Sequence, residues 1–178
     1  MPSFTALFSD CDGVLTDGKC IYSTFGESRT FSMYDANGFY LLQSMGIQTY
    51  IISSDRTSLC RRRAKHIGVT YIDARRANKY NLIQKLGFRK NYLYVGDDKN
   101  DLEAMKHSYH SFAPSSAPHY TKNIADTVTS AVGGSGVIFE VANFVLNNFY
   151  LNFTDFNDTK HKLKKYNLTV GDNNTSLN

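Results

Sequence analysis

Short apolar segments alternate along this sequence with stripes of apolar residues at helical spacing. The short segments, residues 4–9, 47–53, 69–73 and 91–97, predict β-strands because they are brief, apolar and rich in β-branched or aromatic residues. Each helical stripe between them is followed by a glycine, a residue suited to ending a helix. Alternation at this pitch predicts an α/β fold with a mainly parallel sheet.

One insertion and one terminal segment complete this organisation. Residues 20–33 interrupt the alternation and predict a small β-hairpin around a Phe-Gly-Glu turn. Apolar residues between 137 and 145 recur at helical spacing and predict a helix that closes the domain. We therefore expect one Rossmann-like three-layer domain in residues 1–150. We expect a polar, asparagine-rich and flexible tail in residues 151–178, which has little apolar surface to bury.

Composition narrows the class of protein. The chain is 42% hydrophobic and 20% charged, values typical of a globular protein in water. It has no apolar run long enough to span a bilayer and no secretory signal pattern at its start, so we expect a cytoplasmic protein without membrane contact. The net charge of +4, with Arg61–Arg63 as the tight basic cluster, is too small for nucleic-acid binding to be expected.

The three cysteines, Cys11, Cys20 and Cys60, are odd in number and lack the spacing of metal ligands. We expect them to be small apolar side chains or free thiols in a reducing compartment.

Polar residues follow the predicted strands at the points where the strands end. Because the carboxyl ends of parallel strands meet at one edge of the sheet, we expect these side chains to converge there. Strand geometry further predicts that Asp10 and Asp12 share one face while Cys11 points away and packs in the core. The candidate residues, in chain order, are Asp10, Asp12, Ser53, Ser54, Asp55, Arg56, Lys79, Asp97, Asp98 and Asp101.

This set of side chains indicates phosphoryl chemistry. Converging carboxylates repel one another unless a cation joins them, and carboxylate oxygens suit Mg²⁺. Histidine and cysteine do not occur at matching positions, which argues against zinc. The hydroxyl of Ser53 and the ammonium of Lys79 suit phosphoryl oxygens, and an aspartate can serve as the nucleophile. Each feature alone is ordinary; the combination predicts a Mg²⁺-dependent phosphatase.

The motifs "DCDGVLTDG", "IISSDR", Lys79 and "GDDKNDLEAM" resemble the four motifs of the haloacid dehalogenase superfamily. The stretches "FSMYDANGFYLLQSMGI", "RRRAKHIGV" and "GGSGVIFEVANFVL" are similar to its small capless subfamily. That subfamily contains phosphatases of 3-deoxy-D-manno-octulosonate 8-phosphate and of sialic-acid-type nonulosonate 9-phosphates. The resemblance covers about residues 4–147 and implies a fold without a cap domain.

Carried over by position, the resemblance implies a role for each residue. Asp10 would be the nucleophile and metal ligand, and Asp12 would be the general acid and base, with a backbone carbonyl that also binds Mg²⁺. Asp97 would be the third protein ligand of the metal. Ser53 and Lys79 would hold the phosphoryl oxygens. Asp98 and Asp101 would orient the metal shell.

The resemblance also implies an assembly and a substrate class. Such enzymes are homotetramers whose hairpins pack together, so that a neighbouring subunit covers each active site, and the segment Gly133–Gly136 would approach that site. Candidate specificity residues are Ser54, Asp55, Arg56 and Arg63. Octulosonate phosphatases typically carry arginine where this chain has Asp55, whereas the nonulosonate enzymes carry an acidic residue. The resemblance therefore favours a nonulosonate 9-phosphate and leaves octulosonate 8-phosphate open.

Two other classes of protein share some of these features. Receiver-like signalling domains also combine acidic residues, a hydroxyl and a lysine, but they place the acidic pair and the phospho-acceptor on different strands and lack a late "GDDKND"-type motif. A catalytically silent, phosphatase-like assembly module is the alternative to an enzyme. Competent residues at every proposed catalytic position argue against it.

Overall fold

The structure, a computed structural model, describes residues 3–150, so the predicted tail at 151–178 lies outside the described residues. None of the helices in this part of the chain has the length and apolar character needed to cross a lipid bilayer. A π-helical turn, Leu146–Tyr150, follows the last helix. The other elements are β1 (Ala6–Ser9), β2 (Ile21–Ser23), β3 (Gly26–Ser28), α1 (Met33–Ser44), β4 (Gln48–Ser53), α2 (Leu59–His66), β5 (Thr70–Asp73), α3 (Lys79–Lys85), β6 (Tyr92–Val95), α4 (Leu102–Lys106), β7 (His110–Ala113), α5 (His119–Lys122), β8 (Thr127–Val128) and α6 (Val137–Val145).

A six-stranded parallel sheet forms the centre of the protein, in the order β5-β4-β1-β6-β7-β8. β1 pairs with β4 on one side and β6 on the other, so that Ser9 lies opposite both Ile51 and Val95. The chain thus winds outward from β1 through β4 and β5, then returns to the other side of β1. In open parallel sheets a ligand crevice forms at this reversal, outside the carboxyl ends of the strands.

Two apolar clusters cover the two faces of the sheet. Alternate residues of β1 divide between them, with Leu7 in one cluster and Phe8 in the other, as strand geometry requires. The first cluster includes buried residues of α1, α2 and α6, and the second includes residues of α3 and α4. The predicted three-layer α/β sandwich is therefore confirmed. Among the described residues the antiparallel hairpin β2–β3 is inserted before α1, and no cap domain is present.

The four predicted strands, the hairpin and the closing helix are all confirmed, with strand bounds that differ by one to two residues. Strands β7 and β8 were not predicted. β7 mixes His110 and Ser111 with two apolar residues, and β8 has two residues, so neither produces an apolar run. Both are nevertheless parallel additions to the edge of the sheet, which the apolar pattern of the sequence alone does not reveal.

The prediction for the cysteines is wrong for two of the three. Cys11 and Cys60 are fully buried and form a disulfide between positions 49 residues apart, whereas Cys20 is free. Sequence spacing gives no sign of this pair, since the fold alone brings the loop after β1 against the start of α2. The disulfide ties the loop that carries Asp10 and Asp12 to the helix that follows β4.

We expect Cys60→Ser to lower the free energy of unfolding by about 4 kcal/mol under oxidising conditions, the chain-entropy value for a loop of this length. Urea denaturation of both proteins measures the difference. Reduction of the wild type should bring its stability close to that of the variant, and Cys20→Ser should leave it unchanged. Equal stability of Cys60→Ser and the oxidised wild type would contradict a stabilising disulfide.

A buried carboxylate joins α1 to the start of α6. Oδ1 of Asp35 accepts a hydrogen bond from the backbone N–H of Ile138 at 2.8 Å, while Oδ2 is buried without a hydrogen-bond partner. Burial raises the pKa of Asp35 to about 6, although the backbone N–H groups of Ile138 and Gly136 act to lower it. The native state therefore binds this proton more tightly than the unfolded chain does.

The raised pKa gives the stability of the protein a pH dependence of known sign. The contribution of Asp35 is complete below about pH 4, is lost as the pH rises through 6, and amounts to at most about 3 kcal/mol. Asparagine resembles the protonated carboxyl group, so we expect stability to decline less between these pH values in Asp35→Asn than in the wild type, by the part that Asp35 contributes. Urea denaturation at about pH 4.5 and about pH 7.5 tests the expectation. A decline of the same size in both proteins would contradict it.

Candidate active site

A cavity of about 250 Å³ opens at the carboxyl ends of β1, β4 and β6. Most of the residues that the sequence analysis selected line it, so the predicted convergence of strand ends is present in the structure. Lys79 and Asp101 lie behind the lining, and Arg56 and Arg63 lie outside it. The predicted residues in the lining are Asp10, Asp12, Ser53, Ser54, Asp55, Asp97 and Asp98.

The loop after β1 brings Asp10 and Asp12 to this cavity by a route that differs from the expected one. β1 ends at Ser9, and the backbone N–H groups of Leu15 and Thr16 both donate to the carbonyl oxygen of Cys11, which closes a tight turn. As predicted, both carboxylates line one cavity while Cys11 is buried in the apolar core, but Asp12 lies in this turn and not in a strand. The backbone N–H of Asp10 still donates to the carbonyl oxygen of Val95 in β6, so the turn accounts for the position of Asp12 and not for that of Asp10.

Two glycines allow this turn to pack closely. Gly13 has a left-handed backbone with φ of 84°, and a Cβ atom built there would overlap the carboxylate of Asp97. A Cβ atom on Gly133 would overlap the carbonyl oxygen of Gly13. The glycine-rich segment before α6 thus lies against the turn that carries the candidate catalytic residues, in the position that the family resemblance implies.

Lys79 is the buried cation of the site. It is the first residue of α3, is 1% exposed, and follows Asn78, whose side chain caps the helix by accepting from Asn81 N–H. Its Nζ lies 2.9 Å from Oδ2 of Asp10 and 2.8 Å from Oδ1 of Asp101. Lys79 therefore joins the ends of two different strand-loop segments and neutralises part of their buried negative charge.

Asp101 organises the loop that follows β6. Besides Lys79, it accepts a hydrogen bond from the hydroxyl of Tyr94 at 2.6 Å, and its Oδ2 accepts from the backbone N–H groups of Asp97 and Asp98 at 3.2 Å each. Tyr94 lies within β6 and was not among the predicted site residues. A fully buried Asp101 with both oxygens occupied holds the position of Asp97 and of Lys79.

The electrostatics of this group favour an additional positive charge. Burial raises the pKa of Asp10 well above its usual range, although Lys79 opposes that effect. Burial and the negative charge of Asp101 raise the pKa of Asp97 to about 7. Burial lowers the pKa of Lys79, but the charges of Asp10 and Asp101 outweigh it and leave the pKa raised. The single positive charge of Lys79 thus only partly compensates the negative charges of Asp10, Asp97 and Asp101.

The carboxylates that fit a divalent cation are Asp10 and Asp97. Carboxylate oxygens of Asp10, Asp97 and Asp101 all lie within 4.8 Å of one another. Asp101 is already engaged by Lys79 and Tyr94, whereas Oδ1 of Asp97 is buried without a hydrogen-bond partner. An orphaned, buried carboxylate oxygen beside a second carboxylate suits a hard cation with oxygen ligands. In this group of described residues histidine and cysteine are absent.

The loop after β4 supplies a hydroxyl and a further carboxylate. Ser53 is 1% exposed, and its Oγ accepts a hydrogen bond from the backbone N–H of Asp55 at 3.0 Å. Oδ1 of Asp55 accepts from the N–H of Thr57 at 2.9 Å, and Oδ2 accepts from the hydroxyl of Thr57. Burial acts to raise the pKa of Asp55, but these hydrogen bonds and Arg29 outweigh it and lower the pKa.

Arg29 is a site residue that the sequence analysis missed. It follows β3 at the base of the hairpin, and its side chain is 12% exposed. Nη1 lies 3.2 Å from Oδ2 of Asp12 and 3.1 Å from Oδ1 of Asp55. No strand-end signal could have identified it, because the hairpin is an insertion whose base meets the cavity through the tertiary fold.

The structure separates the two arginines that were proposed for specificity. Arg56 is exposed and contributes, with Arg75 and Arg76, to a neighbouring cavity of about 740 Å³. Arg63 is 8% exposed and donates to the carbonyl oxygen of Ser32 at 2.8 Å. Within this chain, Arg63 therefore fixes the residue that caps α1 instead of facing the cavity that contains Asp10.

The outer edge of the cavity carries Asp98. Its Oδ1 accepts a short hydrogen bond from the hydroxyl of Tyr120, a residue near the start of α5. Thr121 in the same helix donates to the carbonyl oxygen of Asp97 at 2.8 Å. Asp98 thus contacts α5 through Tyr120, and its role in orienting a metal shell stays a prediction.

Known proteins are similar in sequence to this chain over most of its length. A family model described as haloacid dehalogenase-like hydrolase matches residues 34–108. The 3-deoxy-D-manno-octulosonate 8-phosphate phosphatase of Haemophilus influenzae is 33% identical over 146 residues, which are 79% of this chain and 81% of that protein. The enzyme of the same name from Escherichia coli K12 is 32% identical over 146 residues, 79% of this chain and 78% of that protein.

Solved structures agree in fold as well as in sequence. The 3-deoxy-D-manno-octulosonate 8-phosphate phosphatase of Moraxella catarrhalis, in complex with magnesium, phosphate and a KDO molecule, is 30% identical with a TM-score of 0.75, and the match covers 82% of this chain and 87% of that one. A putative hydrolase of the same superfamily from Legionella pneumophila is 27% identical with a TM-score of 0.78, covering 92% and 90%. With sequence and fold shared over most of both molecules, this chain belongs to the haloacid dehalogenase-like hydrolases.

Proposed function

We propose that this chain is a Mg²⁺-dependent phosphomonoester hydrolase that removes the terminal phosphate from a phosphorylated 2-keto-3-deoxy sugar acid. The observation that carries the proposal is the buried group of Asp10, Lys79 and Asp97, which lies beside Ser53 at the carboxyl ends of adjacent strands. The activity for which the relatives are named, and the magnesium and phosphate in the Moraxella catarrhalis structure, support it.

In the proposed reaction Asp10 and Asp12 divide the chemistry. A carboxylate oxygen of Asp10 attacks phosphorus, the bond from phosphorus to the sugar oxygen breaks, and Asp12 donates a proton to that oxygen. The product of this step is an aspartyl phosphate on Asp10. Asp12 then accepts a proton from the water that attacks phosphorus, which releases inorganic phosphate and restores the Asp10 carboxylate.

The remaining residues hold the reacting groups. The hydroxyl of Ser53 is proposed to donate to a phosphoryl oxygen, and Lys79, located behind Asp10, orients the nucleophile and supplies positive charge to the same region. The carboxylates of Asp10 and Asp97, with the backbone carbonyl of Asp12, would hold Mg²⁺. When bound, the metal supplies the positive charge that the carboxylates and a phosphoryl group require.

Octulosonate 8-phosphate is the substrate that we propose first. The relatives that carry this activity in their names support it. The acidic Asp55 favoured a nonulosonate 9-phosphate, because an unpaired carboxylate would repel groups that an arginine attracts. Arg29 lies 3.1 Å from this carboxylate and is shared with Asp12, so the negative charge that Asp55 presents to the substrate is partly compensated. Ketodeoxynonulosonate and N-acylneuraminate 9-phosphates are therefore the second candidates.

A panel of substrates tests the proposed function. Values of kcat/KM are measured with Mg²⁺ and with EDTA for octulosonate 8-phosphate, ketodeoxynonulosonate 9-phosphate, N-acetylneuraminate 9-phosphate and p-nitrophenyl phosphate. We expect metal-dependent turnover, highest for octulosonate 8-phosphate. A higher kcat/KM for either 9-phosphate would identify a nonulosonate 9-phosphate, instead of octulosonate 8-phosphate, as the preferred substrate. Turnover that does not exceed that of an Asp10→Asn variant with any compound would instead support the silent assembly module.

We also propose that the chain assembles into a homotetramer through its hairpin, with active sites at subunit interfaces. Ile21, Tyr22 and Phe25 of the hairpin are 56%, 76% and 100% exposed, and apolar side chains of this size on an insertion favour burial against a partner. Sedimentation equilibrium measures the mass of the assembly. A monomer at micromolar concentration would rule out a shared active site.

A further inference from the structure

Arg29 has no part in the reaction described above, yet its contacts lie at the centre of the site. The side chain leaves the base of the hairpin and reaches inward, so that it is 12% exposed. Its Nη1 atom lies between the carboxylates of Asp12 and Asp55, at 3.2 Å and 3.1 Å. A guanidinium held between two carboxylates fixes their separation, because each charge-assisted contact has a preferred length and direction.

The two carboxylates are held unequally by the rest of the protein. Asp55 receives two hydrogen bonds from Thr57, through its N–H and its hydroxyl, and its side chain is 2% exposed. Asp12 receives one long hydrogen bond, 3.3 Å from the hydroxyl of Thr16, and its side chain is 36% exposed. Arg29 thus connects a loosely held carboxylate to one that is firmly anchored.

We propose that Arg29 is a positioning residue, which holds the carboxylate of Asp12 in the orientation needed to reach the leaving-group oxygen. This inference rests on the proposed phosphatase function, in which Asp12 donates the proton. Arg29 does not line the cavity and acts through Asp12. The base of the hairpin, which the fold places next to the cavity, therefore completes the proton-transfer machinery.

The inference predicts a dependence on the leaving group. A sugar alkoxide leaves with difficulty unless it is protonated, whereas p-nitrophenolate is a stable anion that needs little help. Misplacing a catalytic group by about 1 Å can slow a reaction about 100-fold. Loss of Arg29 should therefore slow phosphoryl transfer from a sugar phosphate far more than transfer from p-nitrophenyl phosphate.

Single-turnover measurements with Mg²⁺ and enzyme in excess isolate the transfer step. For Arg29→Met we expect leaving-group release from octulosonate 8-phosphate to slow by about 10- to 100-fold, and release from p-nitrophenyl phosphate by less than about 3-fold. Arg29→Lys, which keeps the charge, should recover most of the rate. Arg89→Met is the matched control and should behave as wild type. Arg89 is exposed in the turn before β6, at the amino-terminal ends of the strands, whereas the cavity lies at their carboxyl ends.

Equal losses with both substrates would overturn the inference, because a general structural role does not distinguish leaving groups. An unchanged rate with octulosonate 8-phosphate would also overturn it. A crystal structure of Arg29→Met gives a test that needs no activity: we expect Asp12 to move by about 1 Å or more while Asp55 stays within about 0.5 Å of its position on Thr57. An unmoved Asp12 contradicts the inference. Failure of the proposed function has a different signature, namely a wild type that hydrolyses none of the substrate panel.

Discussion

Asp10→Asn is expected to lower kcat by at least about 1,000-fold with every substrate, because asparagine cannot form the covalent intermediate. Asparagine has nearly the same shape, so we expect the fold to persist. Inorganic phosphate release at saturating Mg²⁺ measures the effect. Beryllofluoride with Mg²⁺ should inhibit the wild type, because it imitates the phosphorylated aspartate.

The matched control for this substitution is Asp17→Asn. Asp17 lies in the same loop region, is 43% exposed at its side chain, and pairs with Lys19 outside the cavity. We expect this variant to retain wild-type kcat. Near-normal turnover by Asp10→Asn, in a preparation free of wild-type protein, would exclude the covalent route through Asp10.

Lys79→Met is expected to lower the free energy of unfolding by about 3 to 5 kcal/mol at neutral pH when Mg²⁺ is absent. The substitution leaves Asp10 and Asp101, 6% and 0% exposed, without the cation that lies within 2.9 Å of both. Urea denaturation in EDTA measures the loss. Lys85→Met, on the exposed end of the same helix, is the control and should change stability by less than about 0.5 kcal/mol.

The loss in Lys79→Met should depend on pH with a definite sign. Burial already raises the pKa of Asp10, and removal of Lys79 raises it further, so the native variant binds protons more tightly than its unfolded chain. Its stability relative to the wild type should therefore fall as the pH rises and recover on acidification. The same deficit at about pH 4.5 and about pH 7.5 would show that lost packing, rather than unpaired charge, causes it.

Strand ends carried most of the information that the sequence held about the site. Asp10, Ser53 and Asp97 follow apolar runs, and parallel strands bring such positions to one edge of a sheet whatever the details of packing. The order of the strands in the sheet was not needed for this. Local pattern and one general rule of α/β folds were sufficient to predict a shared cavity.

The residues that the sequence did not reveal depend on contacts between distant segments. Arg29 meets Asp55 across 26 positions and Cys11 meets Cys60 across 49, through an insertion and a helix whose placement no periodicity encodes. The type of residue at position 55 predicts repulsion of anionic groups, whereas the neighbouring Arg29 guanidinium weakens that repulsion. The sequence therefore predicts the charge of a side chain, whereas the tertiary fold determines whether a neighbouring charge pairs with it before a substrate can.

Intact-protein mass spectrometry of Asp12→Asn, mixed with p-nitrophenyl phosphate and Mg²⁺, detects the covalent step at Asp10. In the proposed reaction a good leaving group lets the aspartyl phosphate form without Asp12, whereas its hydrolysis would need Asp12 to accept a proton from water. We predict that the protein accumulates one phosphoryl group, located by peptide mapping on Asp10. Continued release of p-nitrophenolate without a phosphoryl group on Asp10 would exclude a covalent intermediate at this residue.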